Sequence, residues 1–350
     1  DVDDESDDGV DHGCGRTVNK VAHQWWAHQV IGADVLGATM LSESMSEYVA
    51  LKVLEEELGK SKMRTFLKEA LDGYLQQRTF ESKREKPLMF NDGQGYIRYQ
   101  KGSLVFYALS DYIGEKKLNG ALKEYVDKVK FQEAPYTTSI EMVDAIKAVT
   151  PDSLQYVIHD MFETITLYKN RVKNTKITEL DNGQYQVDVE FEVSKYRNDE
   201  KGKKFYGTKI GDTLTYKSEK MKKPILSLKL QDYIDIGVFG TEEMNGDEKE
   251  VELYLQKHKI TQINNKLTII VNQKPVEVGV DPYNKLIDTQ STDNPTAIAA
   301  FNRIRTRAGK ATLAAEDIRF ARTVERMQRI IESELTKISL IHLYSQGFRG

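Results

Sequence analysis

Residues 17–48 carry the chemistry of this chain: Thr17-Val-Asn-Lys-Val-Ala-His-Gln-Trp-Trp-Ala-His-Gln-Val-Ile-Gly-Ala-Asp-Val-Leu-Gly-Ala-Thr-Met-Leu-Ser-Glu-Ser-Met-Ser-Glu-Tyr48. The stretch holds two histidines, His23 and His28, and Glu43 follows 20 residues after His23. A five-residue step turns about 140° around a helix, so His23 and His28 do not share a face and cannot act as a helical pair. Trp25 and Trp26 read first as core on the same helix. His12 lies in an acidic, glycine-rich segment that could fold back. His159, His258 and His342 stand isolated and read as surface or satisfied core residues.

Working outward, residues 1–16 hold seven acids and read as a disordered leading segment. From Thr17 to Phe162 apolar residues recur at helical spacing, as in Leu118, Leu122, Tyr125, Val126 and Val129. Thr138 and Glu141 have the spacing of a capping box, and Gly59 and Gly114 sit where helices should stop. Nearly all of 17–165 is therefore expected to be helix. After Phe162 the period changes. Tyr185, Val187, Val189, Phe191 and Val193 alternate with polar residues, and Asn182-Gly183 before them is a hairpin signal. Further short strands are expected near 225–230, 233–239, 251–255, 267–271 and 276–280. Several short strands with no helix between them predict an antiparallel β-sandwich over 166–288.

At Asp288 the pattern lapses into a polar linker. Residues 296–350 carry ten Lys/Arg against five Asp/Glu. There Ala321, Val324, Met327, Ile331, Leu335, Ile338 and Ile341 follow three-to-four spacing, which predicts one basic amphipathic helix over 315–345. Its stripe would pack on a neighbour, on a second subunit in self-association, or on a membrane surface. The whole chain has a net charge of -4, against a dedicated nucleic-acid binder, so no nucleic-acid partner is expected. One cysteine allows no internal disulfide and no thiolate zinc site. No run approaches the ~18 apolar residues of a membrane span, and no signal-peptide pattern is present.

The 17–48 stretch resembles the gluzincin zinc aminopeptidase family, that of aminopeptidase N. It is most similar to the bacterial branch whose peptidase domain is linked to ABC-transporter permeases. Val21-Ala22-His23-Gln24-Trp25-Trp26 resembles the second half of the family's H-E-x-x-H helix. Leu41-Ser42-Glu43 with Tyr48 resembles the next helix, which supplies the third zinc ligand. Tyr99-Gln100-Lys101-Gly102 resembles the family's Y-x-K-G, whose tyrosine stabilises the tetrahedral intermediate. The resemblance runs on through Phe162–Tyr168 and Asp232–Gly240 to Asp281–Asp288. The tail from Glu316 to Phe348 weakly resembles a helical segment of tailed-phage portal proteins.

In the family's pattern, two histidines at i and i+4 bind one zinc ion, and a glutamate beside the first acts as general base on the metal-bound water. A carboxylate from the next helix leaves the fourth metal position open. If His23 is the second histidine, the first ligand position is Asn19 and the base position is Lys20. Asn is a poor zinc ligand, and a protonated Lys offers no lone pair. His23 and Glu43 remain as remnant ligands, and Tyr99 as the transition-state stabiliser by resemblance. Nothing matches the family's G-x-M-E-N segment.

The expectation is an α+β, multidomain chain: a helical thermolysin-like portion over 17–165, a β-sandwich over 166–288, then a linker and long helix over 289–350. It reads as a truncated zinc metallopeptidase-like domain with a degenerate metal site, serving as a non-catalytic binding or scaffold module. The alternatives are an active zinc-dependent aminopeptidase and a portal-like assembly protein acting through its C-terminal helix. Zinc is the family's cofactor and is expected to be weak or absent here. Partners would be a peptide substrate or ligand and, by resemblance, a membrane transporter component. Without zinc, Lys20 is expected to balance Glu43, with Asn19 donating to the same carboxylate.

Overall fold

The computed structural model describes residues 7–206, 213–216, 225–244, 247–293 and 295–297. Two compact units part between Ile165 and Thr166. The first is helical: α1 (Asp7–Ala22), α2 (Met45–Leu58), α3 (Met63–Phe80), α4 (Gly102–Ile113), α5 (Glu115–Val129), α6 (Ser139–Val149) and the short α7 (Gln155–Ile158). The helices end where the sequence says they should. Gly59 and Gly114 close α2 and α4 at φ 87° and 89°, a conformation that side chains with a Cβ resist. The α5 stripe of Leu118, Leu122, Tyr125, Val126 and Val129 is buried. At α6 the Thr138 hydroxyl accepts from the Glu141 amide at 3.4 Å, while the Glu141 carboxylate accepts from Thr137 Oγ1 at 3.0 Å. Half of the expected capping box is therefore made.

α4 is the apolar centre of this unit, buried from Gly102 through Ser110. It packs on α2, which in turn packs on α1. Phe106 links the layers, 6.0 Å from the Tyr48 ring and 5.3 Å edge-on from Phe162.

Two expectations are corrected here. The segment expected to be a disordered leader is helical from Asp7 onward. The expectation of nearly unbroken helix over 17–165 also fails, since 23–38, 81–96 and 130–138 are mostly turns and loops. α1 stops at Ala22, so Trp25 and Trp26 are not on it; Ala27 has φ 117°, and Trp26 bridges back to Val30. Trp26 is core, as expected, at 1% exposure.

The second unit is built of strands: β1 (Ile165–Glu179), β2 (Tyr185–Asn198), β3 (Lys204–Phe205), β4 (Thr213–Tyr216), β5 (Ile225–Leu228), β6 (Asp232–Met244), β7 (Asp247–Ile260), β8 (Asn264–Val271), β9 (Glu277–Val280) and β10 (Pro295–Ala297). One sheet sets β1 beside β2, with β3 and β8 also on β2; another runs β10-β9-β6-β7; β4 and β5 form a pair. The β2–β3, β2–β8, β4–β5, β6–β7, β6–β9 and β9–β10 pairings are antiparallel. The alternation in β2 buries Val187, Val189, Phe191 and Val193. The Asn182-Gly183 turn carries Gly183 at φ 80°, with the Leu180 amide donating to the Gln184 carbonyl at 2.8 Å. The two larger sheets meet through a buried polar contact. Asp232 Oδ1 on β6 accepts from Lys195 Nζ on β2 at 2.8 Å and from the Tyr168 hydroxyl on β1 at 2.9 Å. These features agree with the sandwich class.

β1 escaped the sequence reading, because its first four residues are all buried and its inward face then carries a polar side chain, Asn170, so apolar alternation is missing. The polar linker expected from Asp288 is instead held down as far as residue 297. Asp288 is fully buried, and its carboxylate accepts from the backbone amides of Asn170 at 2.6 Å and Gln290 at 2.8 Å. A parallel bridge joins Tyr168 to Asp288, with Tyr168 N donating to Ile287 O at 2.8 Å and Thr289 N donating to Tyr168 O at 3.1 Å. A polar side chain anchors this segment, so apolar patterning could not reveal it. The expected 315–345 helix and the portal-like resemblance fall outside the described residues. No helix among the described residues is long and apolar enough to cross a membrane.

Candidate functional site

The expected site residues converge at the C-terminal end of α1. His23 stands one residue beyond the helix, its amide still bonded to the Asn19 carbonyl at 3.2 Å. Its Nδ1 lies 3.0 Å from the Trp26 carbonyl and 3.2 Å from Ser46 Oγ. A carbonyl can only accept, so the Trp26 contact assigns the proton to Nδ1 and turns Nε2 outward as a lone pair, or as a second N–H when the ring is charged. Nε2 faces Glu43 Oε2 at 3.3 Å. The imidazole and the carboxylate therefore point at each other.

Glu43 lies in a π-turn, Met40–Ser44, that leads into α2. Such a turn takes up one extra residue within a helix. A second π-turn, Ile97–Lys101, leads into α4 and carries Tyr99. The two turns pack together. Ser44 Oγ donates to the Arg98 carbonyl at 2.7 Å, and a Cβ on Gly102 would fall 2.2 Å from that same hydroxyl. This is why the Y-x-K-G segment needs its glycine: only a bare backbone lets α4 approach the turn that holds Glu43. The Tyr99 phenol is raised above its ordinary value by burial first and then by the nearby Glu43 charge. The Arg98 guanidinium lies 4.8 Å from the Tyr99 ring centre.

Lys101 points the other way. It is fully buried, 3.5 Å from Glu85 Oε1 and 5.5 Å from the Tyr74 ring centre. Burial pulls its ammonium below the usual value, against the Glu85 charge. Glu85 also accepts from the Tyr74 hydroxyl and from Arg78 Nε.

The expected partnership of Lys20 with Glu43 is not found. Lys20 is exposed, and the group that faces Glu43 Oε2 is His23 Nε2, at 3.3 Å. Asn19 is buried, but its amide donates to Glu47 Oε1 at 3.0 Å rather than to Glu43. The sequence reading missed Glu47. Burial, then repulsion from Glu43, push its carboxyl up to about 7, against a smaller pull from Lys20. The available signal was spacing: Glu43 and Glu47 are four residues apart and so share a helical face. The side chain of His12 is not among those described. His28 is exposed and its Nδ1 contacts the His23 carbonyl at 2.5 Å, so it caps the turn instead of joining the site.

His23 Nε2 and Glu43 offer two converging lone-pair donors. The residues do not fit a full catalytic zinc centre, because Asn19 is a carboxamide turned toward Glu47 and Lys20 an exposed ammonium, where the family resemblance would put a ligand and a base. Among the described residues no group of three or more His, Cys, Asp or Glu side chains is placed to hold a metal ion. Residues 17–164 match the family model of the Peptidase family M1 domain. The matched segment is thus a metallopeptidase-like module, of a family that is zinc-dependent in general. No curated protein matches the chain.

Proposed function

We propose that this chain is a metallopeptidase-like module that has exchanged its metal for a closed His23–Glu43 ion pair and works as a non-catalytic binding or scaffold module. One observation carries the reading: Asn19, at the first ligand position, is buried and committed to Glu47. A polar side chain held in that way does not swing onto a metal without leaving Glu47 unpaired. Lys20 cannot serve as a general base for a bound water while it remains protonated. A peptide is the natural ligand of such a module, and a membrane transporter component a possible larger partner by family resemblance.

A second reading, an active zinc-dependent aminopeptidase, is favoured by His23 Nε2 lying 3.3 Å from Glu43 and by the Tyr99 phenol lying near enough to that carboxylate to feel its charge. Elemental analysis separates the two. The purified chain should hold far less than one equivalent of zinc after dialysis and should hydrolyse no amino-acid anilide. Asn19→His combined with Lys20→Glu rebuilds the H-E-x-x-H spacing beside His23 and sets the new imidazole against Glu47, a carboxylate suited to orienting it. That variant should bind one zinc, seen by metal content and by a chelator-reversible rise in Tm. Tight stoichiometric zinc in the parent would favour the active enzyme, and a variant that binds none would refute the assignment of positions 19, 20, 23 and 43.

A further inference from the structure

Ten large apolar side chains are exposed among the described residues, and seven of them fall on three segments of the helical unit. Ile31, Val35 and Leu36 lie on the loop after His28, Phe90 on the turn before Asn91, and Phe131, Tyr136 and Ile140 on the stretch that enters α6. These segments are far apart in sequence but tied into one surface. Phe131 N donates to Gln29 O at 2.8 Å, Ala33 N to Thr137 O at 2.7 Å, and Gly37 N to Asn91 O at 2.8 Å. Ser139 Oγ donates to Met89 O at 2.7 Å. Gly37, at φ 90°, sits at the junction, where a Cβ would lie 2.1 Å from Met89 O and 2.3 Å from Ser139 Oγ. An apolar cluster of this kind on a soluble surface marks an interaction site.

Its charge is one-sided. Residues 27–39, 87–97 and 131–146 contain no lysine or arginine, and the exposed Asp34, Asp92, Glu133, Glu141 and Asp144 border the apolar cluster. The chain itself carries the complement. Residues 296–350 have ten Lys/Arg against five Asp/Glu, a basic run of Arg303, Arg305, Arg307 and Lys310, and after it the apolar stripe from Ala321 to Ile341. A stripe of that length needs an apolar surface to cover it. About 22 residues separate Ala297 from Arg319, enough to span about 70 Å when extended, well beyond the ~30 Å of a small domain.

We propose that the apolar, acid-bordered surface formed by 29–38, 89–92 and 131–140 is the docking site of this chain's own C-terminal segment, with the 321–341 stripe on the apolar cluster and the basic run at 303–310 along the acidic border. The inference is independent of the metal reading, because none of these residues takes part in the His23–Glu43 centre.

The test is hydrogen exchange on the full chain, with light scattering over a range of protein concentrations. In the parent, amides of 319–341 and 31–37 should be protected to the same extent at all concentrations. Val35→Asp with Phe131→Asp changes solvent-facing positions and should speed exchange in both segments by about tenfold or more. Asp34→Lys with Glu133→Lys should loosen the contact, as should Arg305→Glu with Arg307→Glu, and the four changes together should restore protection. The proposal is overturned if 319–341 exchanges without protection in the parent, if neither set of surface changes alters it, or if the combined swap restores nothing. Protection that rises with concentration together with a dimer mass would also overturn it, in favour of a second copy as occupant.

Discussion

Two carboxylate clusters, one buried and one half-buried, flank the same π-turn, and they are balanced in opposite ways. Around Glu85 the cations are in surplus. Burial pushes its carboxyl up, but Lys101, Arg78 and the Tyr74 hydroxyl outweigh it, so the carboxyl ends below its ordinary value. Around Glu43 and Glu47 the cations are in deficit. His23 Nε2 faces Glu43 alone, and burial, then repulsion from Glu43, lift Glu47 to about 7 against a smaller pull from Lys20. Tyr99 turns to the second cluster and Lys101 to the first, two residues apart on one segment. The first cluster is satisfied within the fold, while the second is short of positive charge. Perturbed carboxylates in a cleft point to function only when no nearby cation explains them.

The contrast can be broken from the Glu85 side first. Glu85→Ala leaves Lys101 buried without its counter-ion and strands Arg78, and should cost about 3–5 kcal/mol in chemical denaturation. A loss below about 1 kcal/mol would mean that Lys101 is already neutral in the fold.

The Glu47 side predicts a pH effect. Its folded pKa of about 7 exceeds the ordinary 4.5, so the folded state holds this proton more tightly than the unfolded chain. The associated stability is fully present below about pH 4.5 and is lost as pH rises through 7, by about 3 kcal/mol in all. Glu47→Gln should flatten that slope and raise stability at pH 8 by about 2 kcal/mol, since a Gln oxygen still accepts from Asn19. An unchanged pH profile would place the compensating charge elsewhere.

The smallest expected effect sharpens the comparison at the seam between the clusters. Gly102→Ala forces a Cβ against Ser44 and should cost about 1–2 kcal/mol by overpacking. It should also shift the Tyr99 phenol titration, because Ser44 holds the turn that carries Glu43. A stability loss with no change at Tyr99 would show that the two π-turns move independently.

Much of this was legible in the sequence where one residue type does one job. Val187, Val189 and Phe191 alternate because a half-buried strand requires it, and Gly59 and Gly114 stop helices because φ near 90° suits nothing else. His23, Glu43 and Tyr99 were found through a family pattern, and the fold brings them together. What escaped was polar and non-local. Glu47 meets Asn19 across 28 residues, and Glu85 meets Lys101 across 16, separations at which no periodicity speaks. Lys101 was visible only as a letter in a motif. The Lys20–Glu43 pairing failed because α1 ends at Ala22 and turns His23, rather than Lys20, toward the carboxylate.

The bridge between Tyr168 and Asp288 bears on how the β-rich unit responds to force. Its first strand and its closing segment run in the same direction there, held by two backbone hydrogen bonds and by the Asp288 carboxylate on the Asn170 amide. Tension applied through the two ends would slide these segments past one another, so all three bonds share the load and must fail together. Forced unfolding is governed by the unfolding rate, and an ensemble loaded in this shear geometry resists more than a hairpin unzipped one bond at a time. The buried acid near the end of this unit is thus a mechanical clasp, and Asp288→Ala should lower the rupture force of this unit in single-molecule pulling.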